Sequence, residues 1–417
     1  MTTKVGAASI EVRYLTEPCD PGQARRCIRP FPFDRRSRLP SSFFFTLNDE
    51  SNMLNASALR RATAFTAPRR IGCAVYARQL HSGAQEPFRI LFCGSDQFSV
   101  ASLEALYNAD VLTPPEQRVG RGRKQRYIPP LQTFAIDAGI PWHTVPSSGL
   151  DKSFDLPHPF SQKHPSHLLI TASFGHIIPT PLMSPFQHAL NVHPSMLPRY
   201  RGAAPIQWAI ANGDRTTGVS VQNMGPREQG IDSGAIIGAV DGVPIPANAT
   251  YPTLAEDLSH VSAKLLVAVL RQMLRGEASA RPQEGEVVKA PKVTKERMRV
   301  NWTQPAEALE RMSRAFSHHT PLWAEHNGKA VQLTLLAAPA PETLANVPRP
   351  NVPRPESRPG TVVFDKPQKR VYVVTGDGNS LLVLNRVKPI GRGEMNAAEW
   401  WNGLPEDHRQ RGWSSFD

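Results

Sequence analysis

The stretch FRILFCGSDQFSVASLEALY, residues 88–107, opens with an apolar run, breaks at Gly94-Ser95-Asp96 and resumes with apolar residues at helical spacing. A run, a turn and an amphipathic segment in that order read as strand, turn and helix, the first unit of an open α/β sheet. Further apolar runs at 142–145, 167–172 and 189–193 alternate with helix-like segments around 131–138 and 203–211. This alternation predicts a doubly wound, mainly parallel sheet with crossover helices, whose ligands lie beyond the carboxyl ends of its strands. After Thr217 the strand VSVQNM leads to GIDSG (230–234), the apolar run AIIGAV and a helical pattern from Thr253 to Leu274 that closes a first domain, 86–288. Neither GxGxxG nor GxxxxGK[ST] occurs, so a dinucleotide or P-loop site is not supported.

The segment KAPKVTKERMRV (289–300) is rich in Lys and Arg with a single acid, and reads as a basic linker between domains. From Asn301 to the end, 301–417, a helix over Ala306–Phe316 precedes the short strands VQLTLL, TVVF, VYVVTGDG and SLLVLNRV. Short strands separated by Gly and Pro predict a small β-barrel. Residues 338–360 are proline-rich and repeat NVPRP at 346–350 and 351–355, a composition that reads as a surface insertion because it cannot bury a core.

With 417 residues, 40% of them hydrophobic, the chain has room for two cores. No run of 18 apolar residues occurs, so no membrane partner is expected. The formal net charge of +12 favours a polyanionic partner, although part of the excess sits in an N-terminal segment of different character. From Met53 to Gln85 there are Arg60, Arg61, Arg69, Arg70 and Arg78, no acid, and many Ser, Thr and Ala residues. That is the composition of a mitochondrial transit peptide, so residues 1–85 read as a targeting segment and the compartment as the mitochondrial matrix. The acids Glu11, Glu17, Asp20, Asp34, Asp49 and Glu50 precede it, which suggests Met53 as an alternative start; a non-targeting tail is the competing reading. The four cysteines, Cys19, Cys27, Cys73 and Cys93, indicate neither a disulfide framework nor a metal cluster, and the compartment reads as reducing.

The chemistry concentrates in LNVHPSMLPRYRG (190–202). Strand residues alternate faces, so Asn191 and His193 point the same way at a strand's carboxyl end. Pro194 and Pro198 then force a loop with exposed backbone groups, which can line a flat ligand. Asp232, between Gly230 and Gly234, sits on a turn able to bring a carboxylate to the imidazole. Asn, His and Asp together supply an oxyanion donor, a proton-transfer group and an orienting charge, the set that acyl transfer needs. From spacing alone an NxH pair at a strand end is more often structural and a GxDxG turn usually just a turn, so both readings stay open.

The longer pattern carries a resemblance. NVHPSMLPRYRGAAPIQWAIANGD, followed by TTGVSV and GIDSG, resembles the signature of the methionyl-tRNA formyltransferases within the folate-dependent formyltransferase family. The similarity extends through FCGSDQFSVASLEAL, ASFGHIIP at 172–179, NW at 301–302 and VTGDG at 374–378, and so spans 88–405. It implies an N-terminal formyltransferase domain, a C-terminal barrel of the OB kind, and transfer of the formyl group of 10-formyltetrahydrofolate to the amine of methionyl initiator tRNA. The folate is then a cosubstrate, with no permanently bound cofactor and no metal, and the enzyme is expected to be a monomer. Family roles fall on Asn191, His193 and Asp232 as the catalytic trio and on Ser195, Met196, Leu197 and Pro198 as the folate-lining loop.

Members of the wider family act on small substrates, so a formyl-folate hydrolase, a small-substrate formyltransferase and a non-catalytic RNA-binding relative remain alternatives. For tRNA speaks QRVGRGRKQRYIPP (117–130), a loop with Arg118, Arg121, Arg123, Lys124 and Arg126 and no acid, whose position resembles the family loop that enters against the acceptor stem. Lys292 and Lys295 of the linker are expected to follow the tRNA backbone. The sequence departs from the family pattern at GPREQ (225–229), which lengthens the spacer before Gly230 and lacks its usual Asp, and at Pro194, where many relatives have Gly.

Overall fold

The computed structural model describes residues 86–417 apart from 107, 339–357 and 377–379, with the side chains of Arg121 and Arg227 left out. The targeting reading of 1–85, most of the proline-rich insertion and the end of VTGDG lie outside these residues.

The first domain holds a seven-stranded sheet. Its strands are β1 (Arg89–Gly94), β2 (Ala109–Thr113), β5 (Trp142–Thr144), β6 (His164–Ala172), β7 (Phe186–His193), β8 (Thr216–Asn223) and β9 (Ile236–Pro244). They lie in the order β5-β2-β1-β6-β7-β8-β9. The first five run parallel, whereas β8 and β9 pair antiparallel at one edge. Leu91, Phe92 and Cys93 of β1, with Leu168, Leu169 and Ile170 of β6, are buried, as continuous apolar runs in a sheet covered on both faces must be. The strand order reverses between β1 and β6, which opens a crevice at their carboxyl ends.

Around the sheet stand α1 (Gln97–Glu104), α2 (Pro130–Asp137), α3 (Thr180–Met183), α4 (Pro205–Asn212) and the long α5 (Tyr251–Leu274). The last begins at a Thr250–Thr253 capping box and buries Leu254, Leu258, Leu265, Leu266 and Val269 at helical spacing. The basic loop after β2 is more regular than its composition suggests. Gln117–Val119 (β3) and Gln125–Tyr127 (β4) form an antiparallel hairpin, turned through a 3-10 segment at Arg121–Arg123 with Gly120 and Gly122 at positive φ. Because β2 runs parallel to β1, the hairpin rises from the same sheet edge as the crevice.

In the second domain α6 (Ala306–Phe316) packs on a curled antiparallel sheet. Its strands β10 (Leu322–His326), β11 (Lys329–Ala337), β12 (Thr361–Asp365), β13 (Arg370–Thr375), β14 (Ser380–Pro389) and β16 (Trp413–Ser415) follow the order β10-β11-β14-β13-β12-β16, and the short β15 (Met395–Asn396) adds to β14. This is an OB-like half-barrel. Its interior is filled by an aromatic stack that the strand pattern alone does not reveal: Trp400 lies parallel to Phe416 with centroids 5.6 Å apart, and Trp302 stacks on Phe416 at 5.3 Å. Trp400 and Trp401 come from α7 (Ala397–Asn402), started by an Asn396–Glu399 capping box.

The two domains share apolar and polar contacts through α4 and α6. Trp208 meets Phe316 edge-on at 5.1 Å, a geometry worth about 0.5–1.5 kcal/mol beyond burial. Arg311 donates to Ala211 O and Arg314 to Ala249 O. The segment read as a linker is in fact pinned. Ala290 N donates to Arg201 O at 2.7 Å, Arg201 N to Val288 O at 2.9 Å and Trp208 Nε1 to Pro291 O at 2.8 Å, while Ala290 and Met298 are fully buried.

Candidate active site

The strand β7 delivers Asn191 and His193 to the sheet's carboxyl edge on one face, and β8 lies antiparallel beside it. Its register sets Gln222 opposite Asn191 and Ser220 opposite His193, so two polar residues of VSVQNM share that face. Asp232 reaches the same point from the connection between β8 and β9.

The three residues meet. Asn191 Nδ2 donates to Asp232 Oδ1 at 3.0 Å, and His193 Nδ1 stands 3.7 Å from Asp232 Oδ2. Asn191 Oδ1 accepts from the Thr171 hydroxyl at 2.8 Å, so a carboxylate on one side and a hydroxyl on the other fix the amide's orientation. One N–H of Asn191 is thereby used, and the second has no partner among the described residues. His193 is 4% exposed, and its Nε2 lies 2.9 Å from Tyr200 O. A carbonyl only accepts, so Nε2 carries the hydrogen and Nδ1 is the nitrogen able to exchange a proton within the cluster. Tyr200 adopts the left-handed region at φ 63° to turn that carbonyl inward, and its buried ring is tied by a 2.7 Å hydrogen bond from its hydroxyl to Asp214.

Asp232 is also left-handed, at φ 55°, a conformation costing an L-residue about 1–2 kcal/mol. Three N–H donors offset this: Asn191, Gln222 Nε2 at 2.9 Å and the backbone N–H of Gly202 at 2.9 Å. Each hydrogen bond to a carboxylate contributes about 1.5–3 kcal/mol, so the held geometry wins. The turn is therefore held in place by its own partners. A Cβ on Gly234 would lie 1.7 Å from Asn223 O, and one on Gly202 would lie 2.5 Å from Ala290 O, so both positions require glycine. The lengthened spacer is absorbed outside the site, in a 3-10 turn at Arg227–Gln229 where Gln229 N bonds Pro226 O.

The loop 194–198 has fewer free backbone groups than expected. Ser195 N donates to His193 O, Ser195 O accepts from the Ser220 hydroxyl, Met196 O accepts from Arg199 N, and Leu197 N donates to Ser220 Oγ. Ser195, Leu197 and Pro198 are buried and Met196 half-buried, the last packed over Gly218. The bend includes a cis Leu197–Pro198 bond. At the neighbouring crevice Asp96 caps α1 through Ser99 N and accepts from the Ser173 hydroxyl at 2.6 Å. Burial pushes the Asp96 carboxyl above its ordinary range, although these hydrogen bonds work the other way.

Of the basic residues singled out, Arg118, Arg123 and Lys124 are exposed on the hairpin, with no acidic partner among the described residues. Arg126 differs: it grips Glu116, just outside the quoted stretch, in a bidentate pair at 2.5 and 2.6 Å. Arg121 lies in the hairpin's 3-10 turn. Lys292 and Lys295 are both exposed, and Lys295 Nζ lies 5.1 Å from the Trp323 ring centroid on β10. Among the described residues no group of three or more His, Cys, Asp or Glu side chains is arranged to hold a metal, and no helix is long and apolar enough to cross a membrane.

A formyl transferase family model matches residues 95–270, and the formyl transferase C-terminal domain model matches 292–405. The methionyl-tRNA formyltransferase of Janthinobacterium sp. (strain Marseille) is 33% identical over 332 residues, covering 77% of this chain and 99% of that protein. The chain belongs to the methionyl-tRNA formyltransferase family. The methionyl-tRNA formyltransferase of Halorhodospira halophila is 34% identical over 324 residues, 76% of this chain and 96% of that protein. Among solved structures, HypX from Aquifex aeolicus in complex with tetrahydrofolic acid aligns with a TM-score of 0.47 and 18% identity, over 76% of this chain and 47% of that one.

Within this methionyl-tRNA formyltransferase family member, the motifs alone do not single out Thr171, Tyr200, Gly202 and Gln222. Gln222 carried a readable signal, since Ser220 and Gln222 alternate with Val219 and Val221 in a strand otherwise apolar at its centre.

Proposed function

We propose that this chain transfers the formyl group of 10-formyltetrahydrofolate to the α-amine of methionine esterified to initiator tRNA, in the mitochondrial matrix. The observation that carries the reading is the meeting of Asn191, His193 and Asp232 at the sheet edge from which the basic hairpin also rises. The neutral amine attacks the formyl carbon, and a new C–N bond forms as the carbonyl π pair moves onto oxygen. The second N–H of Asn191 is the donor for that oxygen. The proton lost by the attacking nitrogen passes through His193 Nδ1, steadied by Asp232, to N10 as the C–N10 bond breaks, giving formyl-methionyl ester and tetrahydrofolate.

The loop from Ser195 to Pro198 acts on folate chiefly through its packed surface, because Ser195 N, Ser195 O, Met196 O and Leu197 N are already bonded within the protein. Arg118, Arg123 and Lys124, with Arg121 in the turn and Arg126 held beside them, face the acceptor arm, and Lys292 and Lys295 follow the backbone. The working unit is a monomer, and residues 1–85 contain the import signal.

The deciding assay incubates the full chain with 10-formyltetrahydrofolate and charged initiator tRNA. Formyl-methionyl ester is expected. Formate released without tRNA would make the chain a hydrolase, formylation of a free amino sugar would make it a small-substrate transferase, and tRNA binding without product would make it an RNA-binding relative. Joint replacement of Arg118, Arg123 and Lys124 by Ala is expected to reduce the slope of log affinity for tRNA against log salt by about 2 to 3, with folate binding unchanged. An unchanged slope would remove the hairpin from the tRNA interface. N-terminal sequencing of the protein recovered from mitochondria is expected to start between residues 78 and 86; an N-terminus at Met1 would remove the import reading.

A further inference from the structure

The connection from β8 to β9 bears Asp232, yet much of its support comes from about fifty residues downstream. Gln283 Nε2 donates to Asp232 O at 2.8 Å and to Gly234 O at 2.7 Å, and lies 3.2 Å from Gln222 Oε1. Its own Oε1 accepts from Arg201 Nε at 2.8 Å. One amide thus ties together the turn of the carboxylate, the strand residue that donates to that carboxylate, and the loop whose Gly202 N–H also donates to it. The chain around Gln283 is itself anchored on both sides. Arg281 exchanges backbone hydrogen bonds with Ile236 at 2.8 and 2.9 Å, and Val288 and Ala290 bond Arg201 through their backbones.

We propose that Gln283 is a positioning residue for Asp232, holding the carboxylate at the height where its Oδ2 meets His193 Nδ1. The partners explain why a primary amide stands here, since two backbone carbonyls need donors and a guanidinium needs an acceptor, and only Gln or Asn presents two N–H donors together with an acceptor. Asn is shorter by a methylene and cannot reach all partners from the same backbone position. The left-handed backbone at Asp232 makes such a tie useful, because the turn relaxes toward commoner φ values when its two carbonyls are released. A shift of about 1 Å at a reacting group costs up to about 100-fold in rate.

This inference rests on the formyl-transfer reading for its kinetic readout, so the test carries a second readout that does not. Gln283→Ala and Gln283→Glu are made in the full chain. Both are expected to lower kcat about 10- to 100-fold with KM for either substrate within threefold, to move the acid limb of the kcat–pH profile, and to displace the NMR titration of the His193 ring. Glu fills the volume of Gln but turns an acceptor toward two carbonyls, so a packing role would spare it. Gln283→Glu near wild type with Gln283→Ala impaired would overturn the proposal, and so would an unmoved His193 titration in both variants. If the unaltered chain forms no formyl-methionyl ester, the formyl-transfer reading fails, while the His193 titration still decides the role of Gln283.

Discussion

Asp232→Asn is expected to lower the single-turnover rate of formyl transfer by at least ~100-fold, the scale of lost acid–base help, while a folate analogue binds within a few-fold of normal. Three donors converge on the two oxygens of this side chain: Asn191 and Gln222 on Oδ1, Gly202 on Oδ2. An asparagine has one oxygen to offer. Whichever way its amide is turned, an NH2 group confronts a donor, and at least one N–H loses its partner at a cost of about 1–3 kcal/mol. The same substitution removes the charge facing His193 Nδ1 at 3.7 Å, so imidazolium formed during proton transfer is no longer stabilised. Rapid-quench measurement of formyl-methionyl ester checks this, and a rate within tenfold of wild type would exclude Asp232 from the chemistry.

The second large effect belongs to His193. His193→Ala is expected to lower kcat by at least ~100-fold with little change in folate affinity, because the ring is 4% exposed and touches its neighbours more than it faces solvent. The geometry makes a sharper statement about the ring itself. Tyr200 O commits Nε2 as a donor, so the neutral imidazole is the Nε2–H tautomer and proton traffic runs through Nδ1. Long-range 15N–1H NMR on the wild-type protein identifies the protonated nitrogen directly. Finding Nδ1–H as the neutral form would overturn the assignment of roles at the two nitrogens.

Much of this architecture is legible in the residues. Apolar runs at 88–93, 167–172 and 189–193 became parallel strands, because burial on both faces admits little else, and the helix over 306–316 has the bounds its spacing predicts. The missed elements have physical reasons. Ala109–Thr113 is a short strand whose residues Asp110 and Thr113 are buried polar groups, so its hydrophobic signal is diluted. The hairpin at 117–127 exposes nearly every side chain, leaving no periodicity to read. In the site, Asn191, His193 and Asp232 were found because their side chains carry recognisable chemistry within a motif that resembles a known one. Tyr200 and Gly202 contribute through a carbonyl and an N–H, which nearly any residue type supplies, and Gln283 acts across a sequence distance over which local patterns carry no information.

The pinned segment from Arg281 to Pro291 has a consequence for how members of such a family can exchange parts. Boundaries between domains ordinarily fall where few contacts cross, and the chain trace alone would put the cut just before Lys289. Measured by support, the catalytic unit ends later. A chimaera joined just before Lys289 would keep Gln283 but borrow Ala290 from a foreign donor, and with it the backbone against which Gly202 is pressed. A graft joined after Pro291 keeps the native brace and replaces only the half-barrel and its helix.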